Sequence, residues 1–242
     1  MATTDFTTTL RRALVAGTCV GVSAYAAYAA VTWLQYGRPR RPVADESTDT
    51  ALDRLMPDYD VVERHHIEVD APAAVTLATA CEMDITATPV ARAIFRAREI
   101  VMGGSAEKHR RSGFVDDMRA LGWGILADEP GHELVMGGVT KPWEPNPVFR
   151  AVPPDEFTTF SEPNLVKIAF TLRADAITEA RSIFRTETRA MATDSAARRR
   201  FRNYWSLLSP GIIMIRWAML RPLKAAAERR AREHDQSAVA CA

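Results

Sequence analysis

The C-terminal third constrains this chain more than any other stretch. Residues 165–176 and 180–193 alternate apolar and polar side chains, the two-residue period of strands with one buried face. They run into a long segment whose apolar positions, from Phe201, Tyr204 and Trp205 through Ile212 to Leu220 and Leu223, follow helical spacing. Asp194 or Ser195 is placed to cap that helix. Pro210-Gly211 must kink or briefly break it, because proline lacks the donor and crowds the preceding turn. Strands feeding one terminal helix with an aromatic face predict a curved sheet gripping that helix, with space for an apolar ligand between them.

The preceding sequence supplies the rest of such a sheet. Residues 59–69 alternate, with Val61, Glu63, His65, Ile67 and Val69 on one face and His66 on the solvent side. Asp70 is placed to cap a helix that has Pro72 in its first turn. Two short helices are expected over 72–81 and 89–97, then a polar, basic loop over 103–113. Strands return at 123–128 and 133–140, joined by the turn Glu129-Pro130-Gly131-His132. Gly137-Gly138 marks a bulge or a close backbone approach. Residues 141–154, with five prolines, read as irregular, and 156–161 as a further strand. The fold class is therefore α+β.

At 242 residues the chain holds one ordinary domain plus appendages. The net charge of +1 gives no global field for nucleic acid. The three cysteines are far apart without metal-ligand spacing, so neither a disulfide framework nor a metal site is expected. No nucleotide-binding loop or hydrolase motif occurs, and no cofactor is expected.

The first 36 residues stand apart. Residues 13–34 are uncharged, rich in Ala and Val, and close to the length a bilayer needs. Arg11 and Arg12 precede them; Arg38, Arg40 and Arg41 follow, with Trp33 and Tyr36 placed as an interfacial belt. A retained single-pass anchor is the preferred reading, with a cleaved signal peptide as its rival. The arginine asymmetry favours a cytoplasmic C-terminal domain, against export. Residues 37–57 then read as a linker, 58–234 as the folded domain, and 235–242 as a disordered tail.

The order strand, two helices, antiparallel strands and long helix resembles the helix-grip fold of the START-like, or SRPBCC, superfamily. The likeness covers about residues 58–232. It is carried by Val69-Asp70-Ala71-Pro72, by Thr186-Glu187-Thr188-Arg189, and by Phe201, Tyr204-Trp205, Pro210-Gly211 and Ile215-Arg216. The last three groups resemble an uncharacterised bacterial branch. The resemblance implies a cavity between the concave sheet face and the final helix, holding a hydrophobic or amphipathic small molecule. Members include polyketide cyclases and lipid-transfer domains, so fold alone does not settle function.

Within that frame Phe170, Phe184, Phe201, Tyr204, Trp205 and Trp143 are the candidate ligand-lining residues. Glu63, His65 and Tyr204 are the candidate acid–base groups, against the simpler reading of a strand rim and a docked aromatic core. Arg185, Glu187 and Arg189 share the other face of their strand, as a cross-strand ion-pair ladder if it is the outer face, the preferred reading, or as a polar floor able to orient a carboxylate or carbonyl if it faces the cavity. The basic end of the last helix, 224–232, is a second candidate membrane contact. Membrane-tethered binding of a lipid-like molecule is the leading expectation. A cyclase or dehydratase acting in the same cavity, and a membrane-associated interaction module, are the alternatives.

Overall fold

The computed structural model describes residues 2–39, 49–84, 86, 88–103 and 113–240. The middle of the expected linker, most of the basic loop after residue 103 and the last two residues of the tail lie outside them.

Five antiparallel strands form one curved sheet in the order β1-β5-β4-β3-β2. They are β1 (Val61–Val69), β2 (Gly124–Glu129), β3 (Glu133–Thr140), β4 (Val166–Thr178) and β5 (Arg181–Ala192). The first strand pairs with the last, Val61 opposite Ala190 and Val69 opposite Ser182. The β2–β3 turn places Gly131 at φ +79 after Pro130, as a type II turn requires. Irregular register between Ile125 and Ala127 and between Ala176 and Thr178 helps the sheet to curve. Gly137 is a true close approach, since a Cβ there would lie 2.4 Å from Leu126 Cδ1.

The concave face is covered by α3 (Ala73–Glu82) and by α7 (Ser195–Ala240), with α4 (Pro89–Met102) lying against α7. Two apolar clusters fill this layer. One joins Val69, Leu134, Met136, Phe170, Leu172 and Phe184 to Leu223 and Ala227 of α7. The other joins Val61, Val166 and Ala190 to Phe201 and Trp205. The architecture is the helix grip expected from the strand–helix order.

Asp194 caps α7, its Oδ1 accepting the amides of Ala196 and Ala197 at 2.7 Å each. The helix then continues through Pro210 and Pro222, so the proline does not break it. It also continues through residues 235–240, which the sequence reading assigned to a disordered tail.

The convex face is covered too. α2 (Thr50–Leu55) seats Leu52 and Met56 against Val135, Val139, Ala169 and Phe157. Residues 50–55 are thus helix, although they fall in the stretch 37–57 expected as linker; Asp49 caps them through Leu52 N–H at 2.8 Å. Arg64, Glu187, Arg189 and Asp53 form a hydrogen-bonded ion network on this face.

Three further differences have local causes. Residues 156–161 are not a strand: Pro153 and Pro154 start a short helix, α6 (Pro154–Phe157), that buries Phe157. A helix unread in the sequence, α5 (Phe114–Ala120), follows Gly113 at φ +108. Asp70 does not cap α3; Pro72 holds that position, and the Asp70 carboxylate pairs with Arg181 at 3.2 Å.

The N-terminal helix α1 (Ala2–Gln35) contains an apolar stretch, Val15–Gln35, long enough to cross a membrane. Its second half lies along the start of α7. Tyr25 donates to the Leu207 carbonyl, Tyr28 meets Ser209 Oγ at 2.9 Å, and the Trp33 indole donates to Asn203 Oδ1 at 3.2 Å. Tyr36 donates to Asp60 at 3.2 Å and edges onto Phe201. The polar tips of Trp33 and Tyr36, expected at a lipid interface, are thus satisfied by protein.

Candidate functional site

On the concave face, β1 and β5 place Glu63 opposite Thr188 and His65 opposite Thr186. Strand alternation puts these four on the face that carries Val61, Val69, Phe184 and Ala190. Their neighbours fall into different clusters: Val61 and Ala190 into the one around Trp205, Val69 and Phe184 into the one around Leu223. A polar band therefore separates two apolar zones. On α7, Ile212 packs with the first zone and Leu220 with the second. Arg216 lies one helical turn from each and falls at the level of the band.

The band carries unspent hydrogen-bonding capacity. His65 is 9 % exposed and its Nε2 has no hydrogen-bond partner among the described residues. The Oγ1 of Thr188 likewise has none. Each such buried group costs about 1–3 kcal/mol if nothing satisfies it. Burial, then the charges of Arg216 and His66, push the His65 pKa down to about 4, so the ring is neutral at pH 7. Burial also lowers Arg216, to about 10, while Glu63 opposes the shift. A guanidinium, a neutral imidazole, a hydroxyl and a carboxylate thus share one narrow strip. Such a set can orient a single polar end of a molecule whose remainder is apolar.

The candidate residues do not form one site. Phe170 and Phe184 sit in the cluster with Leu223, where Phe114 and Trp123 edge onto Phe170 at 5.5 and 5.1 Å. Phe201, Tyr204, Trp205 and Trp143 sit at the other end, with Tyr204 stacked on Phe201 at 6.2 Å and Arg200 over Trp143. Glu63 and His65 occupy the band between them. Tyr204 therefore belongs with the aromatic packing and not beside His65. His66 is exposed, as expected.

Side chains of the two clusters line the space between the sheet and α7. Among the described residues, two pockets open on the α1 side of α7. One, of about 640 Å³, is lined by Ala29, Ala30, Trp33, Leu34, Asn203, Ser206 and Leu207. The second, of about 420 Å³, is lined by Tyr36, Gly37, Asp60, Ser195, Arg198, Arg199 and Arg202.

No family model and no curated protein matches the chain. Among solved structures, the chain is similar to the Zhui aromatase/cyclase from Streptomyces sp. R1128 at 11% identity and a TM-score of 0.22. The match covers 70% of this chain and 94% of the other. At that score the likeness carries nothing about activity.

Arg216 is the residue that sequence reasoning passed over. It enters the sequence reading only within a resemblance motif, yet it interrupts the core-facing series Ile212, Leu220 and Leu223 at helical spacing. A charge inside an apolar stripe was the available signal. Among the described residues no group of three or more His, Cys, Asp or Glu is arranged to hold a metal.

Proposed function

We propose that the domain binds a hydrophobic or lipid-like molecule on the concave face, its polar end at the band of His65, Thr188 and Arg216, and that α1 tethers the domain to a membrane. The observation that carries this reading is the pair of unpartnered atoms, His65 Nε2 and Thr188 Oγ1, on the inner face between two apolar clusters. A structural core gains nothing from leaving them unmet, whereas a ligand head group that accepts or donates there recovers the cost. The apolar remainder displaces side chains of the flanking clusters.

The tether rests on the length and composition of Val15–Gln35, and the cytoplasmic placement of the domain on the arginine asymmetry around it. The test uses the full-length protein purified in detergent. Solvent extraction should release a bound amphipathic molecule, and a panel of fatty acids and lipids should raise the melting temperature. Arg216→Gln should abolish that shift. An empty extract together with no shift across the panel would overturn the reading.

One observation favours catalysis as a second reading. A buried, neutral imidazole with a free Nε2 is a proton acceptor at pH 7. As a cyclase or dehydratase the domain would use His65 with Glu63 as acid–base groups on a hydrophobic substrate. His65→Ala would then abolish turnover while ligand binding persisted, and binding without turnover of any substrate would remove it.

A further inference from the structure

The pocket of about 420 Å³ at the elbow between α1 and α7 is separate from the concave face and has its own chemistry. Among the described residues three guanidiniums, Arg198, Arg199 and Arg202, line it against one carboxylate, Asp60. That carboxylate is committed. Asp60 Oδ2 accepts from Tyr36 Oη at 3.2 Å and from the Ala192 amide at 2.9 Å, and Oδ1 lies 3.0 Å from Arg198 Nε. The first amides of α7 are committed too, because Asp194 caps Ala196 and Ala197. What remains for a ligand is side-chain charge.

Two of the arginines are held in place by other groups. Arg198 is fixed through its Nε on Asp60. Arg202 donates through its Nε to the Trp33 carbonyl at 2.7 Å and lies over the Trp33 ring at 3.4 Å. Holding a guanidinium by Nε leaves its outer Nη donors for a second partner, the arrangement suited to bidentate recognition of an oxyanion. Arg199 stands beside them, exposed.

We infer that this elbow is a phosphate-binding site, and that its occupant is the phosphate of an anionic lipid headgroup. The size and charge fit a phosphate ester. The position supplies the rest: Tyr36 and Gly37 of the pocket directly follow the apolar stretch Val15–Gln35, the level at which headgroups meet a spanning helix. The inference rests on the proposed membrane tether through α1 and not on the concave-face ligand.

Full-length protein in detergent would be titrated with phosphatidylglycerol, with phosphatidylcholine, and with soluble glycerol 3-phosphate, counting bound molecules by native mass spectrometry. Phosphatidylglycerol should bind at one preferred site, with Arg199→Glu weakening it at least tenfold. Arg199→Lys should retain most of the affinity, and Arg221→Glu, outside the pocket, should leave it unchanged. An unchanged melting temperature would show that Arg199→Glu still folds, and Arg216→Gln should leave this binding intact. Glycerol 3-phosphate binding as tightly as the lipid, and lost in Arg199→Glu, would keep the phosphate site but assign it a soluble occupant. Equal weakening by Arg199→Glu and Arg221→Glu, phosphatidylcholine binding as tightly as phosphatidylglycerol, or no binding of any of the three probes, would overturn the inference.

Discussion

Arg189 donates from Nη2 to Asp53 Oδ1 at 2.6 Å, tying β5 to a helix 136 residues earlier in the chain. The same guanidinium donates to Glu187 at 2.7 Å and to the Met56 carbonyl at 2.9 Å, and lies 4.7 Å over the Tyr59 ring. At 2 % exposure it is the largest fully buried side chain of the convex face.

Removing it should therefore be costly. Arg189→Ala strands the Met56 carbonyl, leaves Glu187 with Arg64 alone and opens a void. The expected loss is about 3–5 kcal/mol, read by denaturant unfolding. Asp53→Ala should cost about 1 kcal/mol or less, because Asp53 is partly solvated.

Asp60 holds three elements together: the end of α1 through Tyr36, the end of β5 through Ala192 and the start of α7 through Arg198. Asp60→Ala should cost about 1–3 kcal/mol. It should also speed protease cleavage near Gly37 relative to the rest of the domain. Unchanged cleavage there would show that α1 is held by other contacts.

His65 sets a pH dependence with a defined sign. Its folded pKa, about 4, lies below the ordinary value of 6.5, so the unfolded chain binds more protons between those limits. Its contribution is fully present above pH 6.5 and is lost as the pH falls toward 4. His65→Leu should flatten the difference in stability between pH 7.5 and 5, measured by urea unfolding in parallel with the wild type.

Glu133 works in the opposite direction. Burial, then the nearby Asp49 carboxylate, raise its pKa from 4.5 to about 7 despite Arg173 and His132. The folded state binds the extra proton, so this contribution is present below pH 4.5 and is lost as the pH rises through 7. Glu133→Gln, a permanent stand-in for the protonated acid, should gain stability over the wild type at pH 8 and lose that advantage at pH 4.5.

These two groups also show what was legible beforehand. The period-2 patterns of β1, β4 and β5 revealed which side chains share a face, so Glu63 and His65 were placed inward and Glu187 and Arg189 outward from residue order alone. Composition misled where packing overrode it. Residues 50–55 look like solvated linker, and only the burial of Leu52 and Met56 makes them a helix. The proline run before Asp155 hid α6, because the same residues that break strands also begin helices. Pro210 failed to interrupt α7, where docking on the sheet on one side and α4 on the other outweighs one missing donor. The fate of the concave space was illegible, since periodicity fixes the direction of Phe170 and Phe184 but not whether their partners leave room.

The pairing of β1 with β5 orders the sheet in time as well as in space. The bond between Asp60 and the Ala192 amide joins residues 132 apart, and between them lies every other strand. At about 5–20 residues per second of synthesis, β1 waits on the order of ten seconds for its only neighbour. Throughout that interval Val61, His65 and Val69 belong to an unpaired edge, and the sheet closes only when β5 has left the ribosome.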